Sequence, residues 1–145
     1  MYDRVLLPTD GSQGNSRAVK QAIDLAAITG AELHVLFVVE DMPYGPDLMD
    51  GQVEERLREI GKGAIADIRG RADSAGVSIE TAIEDGKPHR AILEYANEEE
   101  IDCIVMGTHG RSGLDRYLLG SVTERVVRAA EMPVLTVRVR DDDDE

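Results

Sequence analysis

The sequence predicts an α/β fold built around an open, mostly parallel sheet. Short runs rich in Val, Ile and Leu alternate with longer segments of helical periodicity, in the order βαβαβαβαβ. The length of 145 residues suits one domain and is too short for two enzyme-sized domains. We therefore expect a single domain over residues 1–140, followed by an acidic, disordered tail at residues 141–145.

Five apolar runs are the predicted strands. They cover residues 5–8, 33–39, 77–83, 101–107 and 134–139. The first and the fourth are apolar on both faces, which is typical of strands at the centre of a parallel sheet. The fourth run also contains the only cysteine, Cys103, so we expect a buried, inert thiol and no intrachain disulfide.

Four segments between these strands carry the apolar spacing of amphipathic helices. Gly30 and Gly76 mark the ends of the first two, Pro88 suits the first turn of the third, and the fourth covers residues 121–130. Residues 41–50 indicate a loop beyond the carboxyl end of a strand, where open α/β sheets bind their ligands. The residues predicted to face the core are Val19, Ala22, Ile23, Ala26, Val53, Leu57, Ile60, Ala64, Ile68, Ile92, Leu93, Ala96, Val122, Val126 and Val127.

The charge of the chain is strongly acidic and unevenly distributed. The net charge of −13 comprises −11 over residues 1–102, +3 over residues 103–140 and −5 over the tail. An acidic surface disfavours nucleic-acid binding, because Lys and Arg contacts to phosphate supply most of that affinity. Only three of the sixteen basic residues are Lys, which together with the acid excess predicts adaptation to high salt. A merely acidic protein from ordinary salt is the alternative.

The sequence also predicts a cytoplasmic protein that is not inserted in a membrane. No apolar run approaches the roughly 20 residues that span a bilayer, and no signal-peptide pattern follows Met1. A single cysteine within an apolar run agrees with a reducing compartment.

A glycine-rich connection between the fourth strand and the fourth helix is the strongest functional signal. It contains Gly107, Gly110 and Gly113 and ends at Gly120-Ser121. Glycine lets backbone amides approach an anion closely, and the following helix N-terminus offers unpaired N–H groups and a favourable dipole. The connection therefore indicates a phosphate-binding loop, with ordinary turns as the alternative. A local basic cluster favours phosphate and consists of Arg111, Arg116, Arg125 and Arg128.

The spacing Gly107-x2-Gly110-x9-Gly120-Ser121 resembles the G-2x-G-9x-G-[ST] ATP-binding signature of the universal stress protein family. The P-loop and dinucleotide-binding glycine patterns are missing. Residues 5–12 resemble the first strand and Asp turn of that family, and residues 132–137 resemble its last strand. The resemblance implies a Rossmann-like, adenine nucleotide alpha hydrolase-like fold with strand order 3-2-1-4-5, helices on both faces, and ATP between strands one and four.

The resemblance also implies which residues bind ATP. Asp10 in the first turn and Val38 at the end of strand two would hold the adenosine. A Mg²⁺ ion would bridge the phosphates, since the sequence shows no compact cluster of metal ligands. The complete set implied to bind ATP is Pro8, Thr9, Asp10, Val38, Met106, Gly107, His109, Gly110, Arg111, Gly113, Gly120, Ser121, Val122 and Thr123.

Three of these residues have a structural interpretation as well. Ser121-x-x-Glu124 is also a capping box, in which the Ser121 hydroxyl would bond to its own helix. Asp10 follows a strand and would also serve as a turn former. His109 would also suit a solvated position on the loop.

Three functions remain open at this level. The leading one is an ATP-binding stress-response module with slow or no turnover, whose nucleotide or dimer state is read by other, unidentified proteins. The second is an ATPase or autokinase using His109 and Arg111, although no dedicated base stands out. The third is a nucleotide-free dimeric scaffold or chaperone-like factor. For each, the apolar last strand at residues 134–139 predicts a homodimer through Val134, Leu135, Val137 and Val139.

Overall fold

Five strands and four helices alternate in the part of the chain that the structure describes, as the sequence predicts. The computed structural model describes residues 2–11, 15–40, 50–108 and 119–138, and the following elements belong to those ranges. They are β1 (Arg4–Thr9), α1 (Ser16–Thr29), β2 (Glu32–Glu40), α2 (Asp50–Ser74), β3 (Ile79–Gly86), α3 (Pro88–Glu98), β4 (Cys103–Gly107), α4 (Ser121–Ala129) and β5 (Val134–Val137).

The strands form one parallel sheet with the order β3-β2-β1-β4-β5, which confirms the predicted topology. The strand order reverses between β1 and β4. The ladder between these two strands ends at Leu6 and Ile104, although β1 continues to Thr9 and β4 to Gly107. A split therefore opens between their carboxyl ends, where parallel α/β sheets place ligands.

Helices cover both faces of the sheet and create two cores. The first core lies under α1 and α2, and includes Leu7, Phe37 and Val105. The second lies under α3 and α4, and includes Leu6, Leu36 and Met106. Neighbouring residues of the central strands alternate between the two cores, so β1 and β4 are buried on both faces, as predicted.

The predicted helix ends are confirmed at three positions. Gly30 caps α1 in the left-handed conformation, with φ of 76°, and its N–H donates to the Ala26 carbonyl. Gly76 follows α2 with φ of 74°, and Pro88 is the first residue of α3. A further glycine, Gly61 on α2, leaves room for the ring of Phe37, which a Cβ at that position would overlap.

Two predicted strands begin later than expected, for one physical reason. Val77 and Ile101 are buried but precede β3 and β4. The amide of Val77 donates to the Ala72 carbonyl, and that of Ile101 donates to the Ala96 carbonyl. Each residue thus completes the end of the preceding helix before the strand starts.

Two residues predicted to face the core are exposed instead. Ile60 is 40% exposed, because the buried stripe of α2 follows Gly61, Ile65, Ile68 and Ala72. Val127 is 42% exposed, because its neighbour Val126, about 100° away around α4, occupies the inward position. The remaining inward predictions are buried or partly buried.

The lone cysteine is buried, as predicted, and burial raises the pKa of the Cys103 thiol. No helix in the described part of the chain is long and apolar enough to cross a membrane. The loop predicted over residues 41–50 ends one residue too late, because Asp50 is already the first residue of α2. Residues 41–49 of that loop, the last predicted strand residue Val139 and the predicted tail at residues 141–145 lie outside the described residues.

Candidate functional site

Three of the predicted site residues share one face of the sheet at its carboxyl edge. Pro8 is buried near the end of β1, on the side that Leu6 also faces. Val38 near the end of β2 and Met106 near the end of β4 both belong to the α3/α4 core. The structure therefore brings Pro8, Val38 and Met106 to the same side of the split between β1 and β4.

The turn after β1 is held by a hydroxyl group. Thr9 is 8% exposed, and its Oγ1 accepts hydrogen bonds from the Gly11 amide at 3.1 Å and from Asn15 Nδ2 at 3.2 Å. Gly11 has φ of 81°, a conformation that favours glycine. Asp10, between them, is partly exposed. The sequence analysis gives Asp10 as a turn former and does not include Asn15. An Asn just before a helical segment is typical of a helix N-cap, and that pattern could have identified Asn15.

The first turn of α4 presents a row of backbone donors at the carboxyl end of β4, one of the two strands that flank the split. The first amide bonded within the helix is that of Glu124, which donates to the Gly120 carbonyl at 2.9 Å. The amides of Ser121, Val122 and Thr123 consequently have no acceptor within the helix. These three N–H groups lie at the positive end of the helix dipole, an arrangement that suits an anion.

The alternative interpretation of Ser121 as the N-cap of a capping box is wrong. The N-cap residue is Gly120, which has no side chain, and Ser121 is already the first helical residue. The amide of Gly120 donates to the Thr108 carbonyl at 2.7 Å, which holds Gly120 in an extended conformation just outside the helix. The Glu124 carboxylate pairs with Arg128 at 3.2 Å instead of reaching back. Ser121 is exposed, so its hydroxyl faces away from the core.

Hydrogen bonds fix both ends of the glycine-rich connection. Besides the Gly120 bond, the Thr108 amide donates to the Val137 carbonyl at 2.9 Å. Thr123, which is 4% exposed, donates its hydroxyl proton to the Gly107 carbonyl at 2.8 Å. The hydroxyl of Thr123 is therefore a structural donor, whereas its amide remains part of the row described above. The predicted residues His109, Gly110, Arg111 and Gly113 lie outside the described residues.

The donor set at this edge suits a phosphate better than a protein-held metal. Within residues 2–11, 15–40, 50–108 and 119–138, no group of three His, Cys, Asp or Glu side chains is arranged to hold a metal ion. The row at α4 offers N–H groups and one hydroxyl, which bind oxyanions. A magnesium ion at such a site would take its ligands mainly from phosphate oxygens and water.

A buried polar network under α3 forms a separate feature. His34, to which the sequence analysis assigns no role, is 3% exposed. Its Nδ1 lies 2.7 Å from the Tyr95 hydroxyl and its Nε2 lies 2.9 Å from a Glu32 carboxylate oxygen. Burial, reinforced by nearby glutamates, raises the pKa of Tyr95 to about 12. Because Glu32 opens β2, this network lies toward the amino end of the strand and stabilises the packing of α3.

Comparison with known proteins gives consistent matches over nearly the whole chain. The profile of the universal stress protein family matches residues 1–138. Universal stress protein MJ0531 of Methanocaldococcus jannaschii is 39% identical over 141 residues, which cover 95% of this chain and 83% of that protein. The structure of MJ0577 from the same organism is 30% identical, with a TM-score of 0.86 over 97% of this chain and 99% of the other. A universal stress protein solved in complex with cAMP is 32% identical, with a TM-score of 0.70 over 94% and 97%.

Proposed function

Because the chain belongs to the universal stress protein family, we propose that it binds ATP at the carboxyl edge of its sheet and acts as a nucleotide-dependent module of the stress response. The observation that carries this proposal is the row of three amides at the start of α4, beside the split between β1 and β4. A row of backbone donors on a helix dipole is suited to the phosphates of a nucleotide.

In the proposed binding mode, the nucleoside and the phosphates of ATP contact different groups of residues around the split. Pro8, Asp10 and Val38 would contact the nucleoside, with Met106 and Gly107 lining the same half. The amides of Ser121, Val122 and Thr123 and the hydroxyl of Ser121 would bind the phosphates, which would approach them past Gly120. His109, Gly110, Arg111 and Gly113 complete the proposed set on sequence grounds. Mg²⁺ would enter with the phosphates and supply charge neutralisation.

We propose slow or no turnover of the bound nucleotide. Fast hydrolysis needs a group that positions water and a group that stabilises charge in the transition state. The sequence candidates for these tasks are His109 and Arg111, and no dedicated base accompanies them. A nucleotide-free scaffold is the competing function, and the unpaired donors of α4 argue against it.

The identity of the ligand is tested by denaturing the purified protein and identifying any released nucleotide by chromatography and mass. Calorimetric titration of nucleotide-free protein with ATP, ADP, AMP and cAMP, each with Mg²⁺, then ranks the ligands. Cyclic AMP belongs in the series because a 32% identical relative is in complex with it. We expect ATP to bind most tightly, since it has the longest phosphate chain. If the denatured protein releases no nucleotide and the protein does not bind ATP at millimolar concentration, the nucleotide-free scaffold would replace this proposal.

We also propose a homodimer through the outer edge of β5. Leu135 is 41% exposed and Val134 is partly buried on this edge strand. Val137 is only 8% exposed, so the apolar edge is smaller than the sequence predicts. An edge strand with an exposed Leu is a site for pairing with a second copy. Sedimentation should give a dimer that Leu135→Lys converts to a monomer, whereas a monomeric wild type at micromolar concentration would contradict the pairing.

Adaptation to high salt and a cytoplasmic location stay predictions. The acid excess over residues 1–102 should cause self-repulsion that salt screens, so the melting temperature should rise with KCl. A melting temperature that is flat or falls from low to molar KCl would contradict the repulsion. Protein partners that read the nucleotide state would be sought by comparing pull-downs with and without ATP.

A further inference from the structure

The turn after β1 contains a buried polar contact that the binding site alone does not explain. Thr9 and Asn15 are both nearly inaccessible, at 8% and 7% exposure, and they lie on either side of the turn that carries Asp10. The Asn15 amide group donates to Thr9 Oγ1 at 3.2 Å. The contact links the end of β1 directly to the start of α1.

Asn15 is in the place of a helix cap but does not act as one. It is the N-cap residue of α1, with φ of −84° and ψ of 0°, and its side chain makes no capping hydrogen bond. Asn is strongly preferred at this position because its side-chain oxygen usually bonds to the second or third helical amide. Here the side chain is directed to Thr9 instead. Because the Asn15 side chain bonds to Thr9 and not to its own helix, its hydrogen bond stabilises the turn between β1 and α1.

The Thr9 hydroxyl also fixes the residue that follows Asp10. It accepts from the Gly11 amide at 3.1 Å, a hydrogen bond between residues i and i+2 that closes a tight turn. The Thr9 oxygen, which precedes Asp10, therefore accepts from two donors that follow Asp10 in the chain. Both acceptor positions of the Thr9 oxygen are thus used within the turn and the residue is 8% exposed, which leaves only the hydroxyl proton for any direct contact with a nucleotide.

The far side of the turn is closed by α2. Gly11 has φ of 81°, and a Cβ built on it would lie 2.7 Å from Ile60 Cγ2. Ile60, which the sequence places in the core, thus contacts this turn from α2. The Thr9 hydroxyl thus holds the backbone amide that follows Asp10, and Ile60 confines Gly11.

We infer that Thr9 and Asn15 are positioning residues, which set the Asp10 carboxylate for the nucleoside half of the ligand. This inference rests on the proposed function, in which Asp10 contacts the nucleoside. It gives the side chain of Thr9, a residue that the resemblance implies in ATP binding, an indirect role, and it adds Asn15 to the site. The phosphate half, at the start of α4, should be independent of both residues.

The test compares two ligands on three variants. Thr9→Val keeps the shape of the side chain and removes the oxygen, Thr9→Ser keeps the oxygen, and Asn15→Ala removes the second donor. ATP and inorganic tripolyphosphate, each with Mg²⁺, are titrated calorimetrically. Thr9→Val removes the acceptor of both hydrogen bonds, and Asn15→Ala removes one of the two donors. Each substitution should leave the Asp10 carboxylate less well positioned and weaken ATP binding roughly five- to tenfold.

A positioning role predicts that the variants lower the affinity for ATP and leave the affinity for tripolyphosphate unchanged. The affinity for tripolyphosphate should stay within about twofold in every variant, and Thr9→Ser should retain ATP affinity within about twofold, because the hydroxyl is restored. The Gly11 amide should exchange with solvent faster in Thr9→Val, as measured by NMR. If Thr9→Val is too unstable to study, the ATP and tripolyphosphate affinities of Asn15→Ala test the positioning role, since this variant keeps the hydrogen bond from Gly11 to Thr9.

The outcomes separate this inference from the proposed function. ATP and tripolyphosphate affinities that fall together, in step with melting temperature, would show that the contact is only structural. Unchanged ATP affinity in both Thr9→Val and Asn15→Ala would overturn the positioning role while leaving ATP binding intact. A wild type that binds tripolyphosphate but not ATP, or neither, would overturn the proposed function and this inference with it.

Discussion

The two segments on either side of the split between β1 and β4 satisfy their polar groups in opposite ways. In the turn after β1, the Thr9 hydroxyl accepts from Gly11 and Asn15. At the start of α4, three successive amides have no acceptor within the helix, and the N-cap is a glycine with no side chain. The first segment is held by hydrogen bonds to its own hydroxyl. The second presents donors in a fixed direction, and an anion would complete it.

This difference assigns distinct tasks to the two segments. A turn closed by internal hydrogen bonds can orient one carboxylate, that of Asp10, with little loss of entropy on binding. A helix start with unpaired amides contributes charge complementarity and accepts any phosphate chain of suitable shape. Substitutions in the two segments should therefore change affinity for different parts of the ligand, and the variants below are ordered by the size of that change.

The largest effect is expected at Gly120. Its φ of −64° and ψ of 158° are open to any residue, so glycine is needed there for space and not for backbone conformation. Gly120→Val should place methyl groups where the phosphates approach the amides, and lower ATP affinity by more than about a hundredfold.

Circular dichroism and the melting temperature provide the control for Gly120→Val, because the extended backbone suits Val but Gly120 is buried. Gly120→Ala, with one methyl group, should lie between the wild type and Gly120→Val in calorimetric titration. Equal ATP affinity in all three proteins would show that phosphates do not approach the start of α4.

Asp10→Ala should give the next largest effect, and on the other half of the ligand. Loss of a hydrogen bond from a charged group should lower ATP affinity about ten- to hundredfold. Affinity for inorganic tripolyphosphate should be unaffected, because the amides of α4 are untouched. Asp10→Asn, which keeps the shape and one acceptor oxygen, is the matched variant and should lose less. Equal losses for ATP and tripolyphosphate would contradict the division of tasks between the segments.

The fold was largely predictable from the sequence because its signals are local. The periods of the strands and helices, Gly30 after α1 and Pro88 at the start of α3 each act within a few residues. The errors arise where a tertiary contact decides. Ile60 is exposed because the buried stripe of α2 runs through Gly61, which packs against Phe37, and the sequence does not show that contact.

For the candidate site, the sequence predicts where the described residues lie better than it predicts what their side chains contact. A glycine-rich connection indicates phosphate binding, and the structure places its end, Gly120, at a helix N-terminus. Whether Ser121 caps that helix depends on one residue of register, which is set by the Gly120 to Thr108 hydrogen bond. The roles of Thr9 and Asn15 depend on a contact six residues apart along the chain, which no periodic pattern reports.

A smaller effect is expected for Ser121→Ala. The hydroxyl is on an exposed first helical residue, while the amides that form the row stay in place. ATP affinity should fall roughly tenfold or less, corresponding to about 1 kcal/mol for one hydrogen bond. The melting temperature should not change, because Ser121 is not the N-cap. A lower melting temperature with unchanged ATP affinity would instead restore the capping interpretation and remove Ser121 from the site.

The smallest effect on ATP affinity is expected for Thr123→Val, two residues further along the same helix turn. The Thr123 hydroxyl is buried and donates to the Gly107 carbonyl at 2.8 Å, so it supports the junction between β4 and α4 and is not available to a phosphate. Removing it leaves a buried carbonyl without that donor, which should lower stability by about 1 to 3 kcal/mol. For a domain of this size the melting temperature should fall by roughly 3 to 10 °C. ATP affinity at a temperature where the variant is folded should stay within about twofold of the wild type.

Ser121→Ala and Thr123→Val thus form a matched pair of hydroxyl deletions. Ser121→Ala should change ATP affinity without changing stability, and Thr123→Val should change stability without changing ATP affinity. The reverse pattern, with Thr123→Val losing ATP and keeping its melting temperature, would mean that the buried hydroxyl turns toward the ligand when the nucleotide binds.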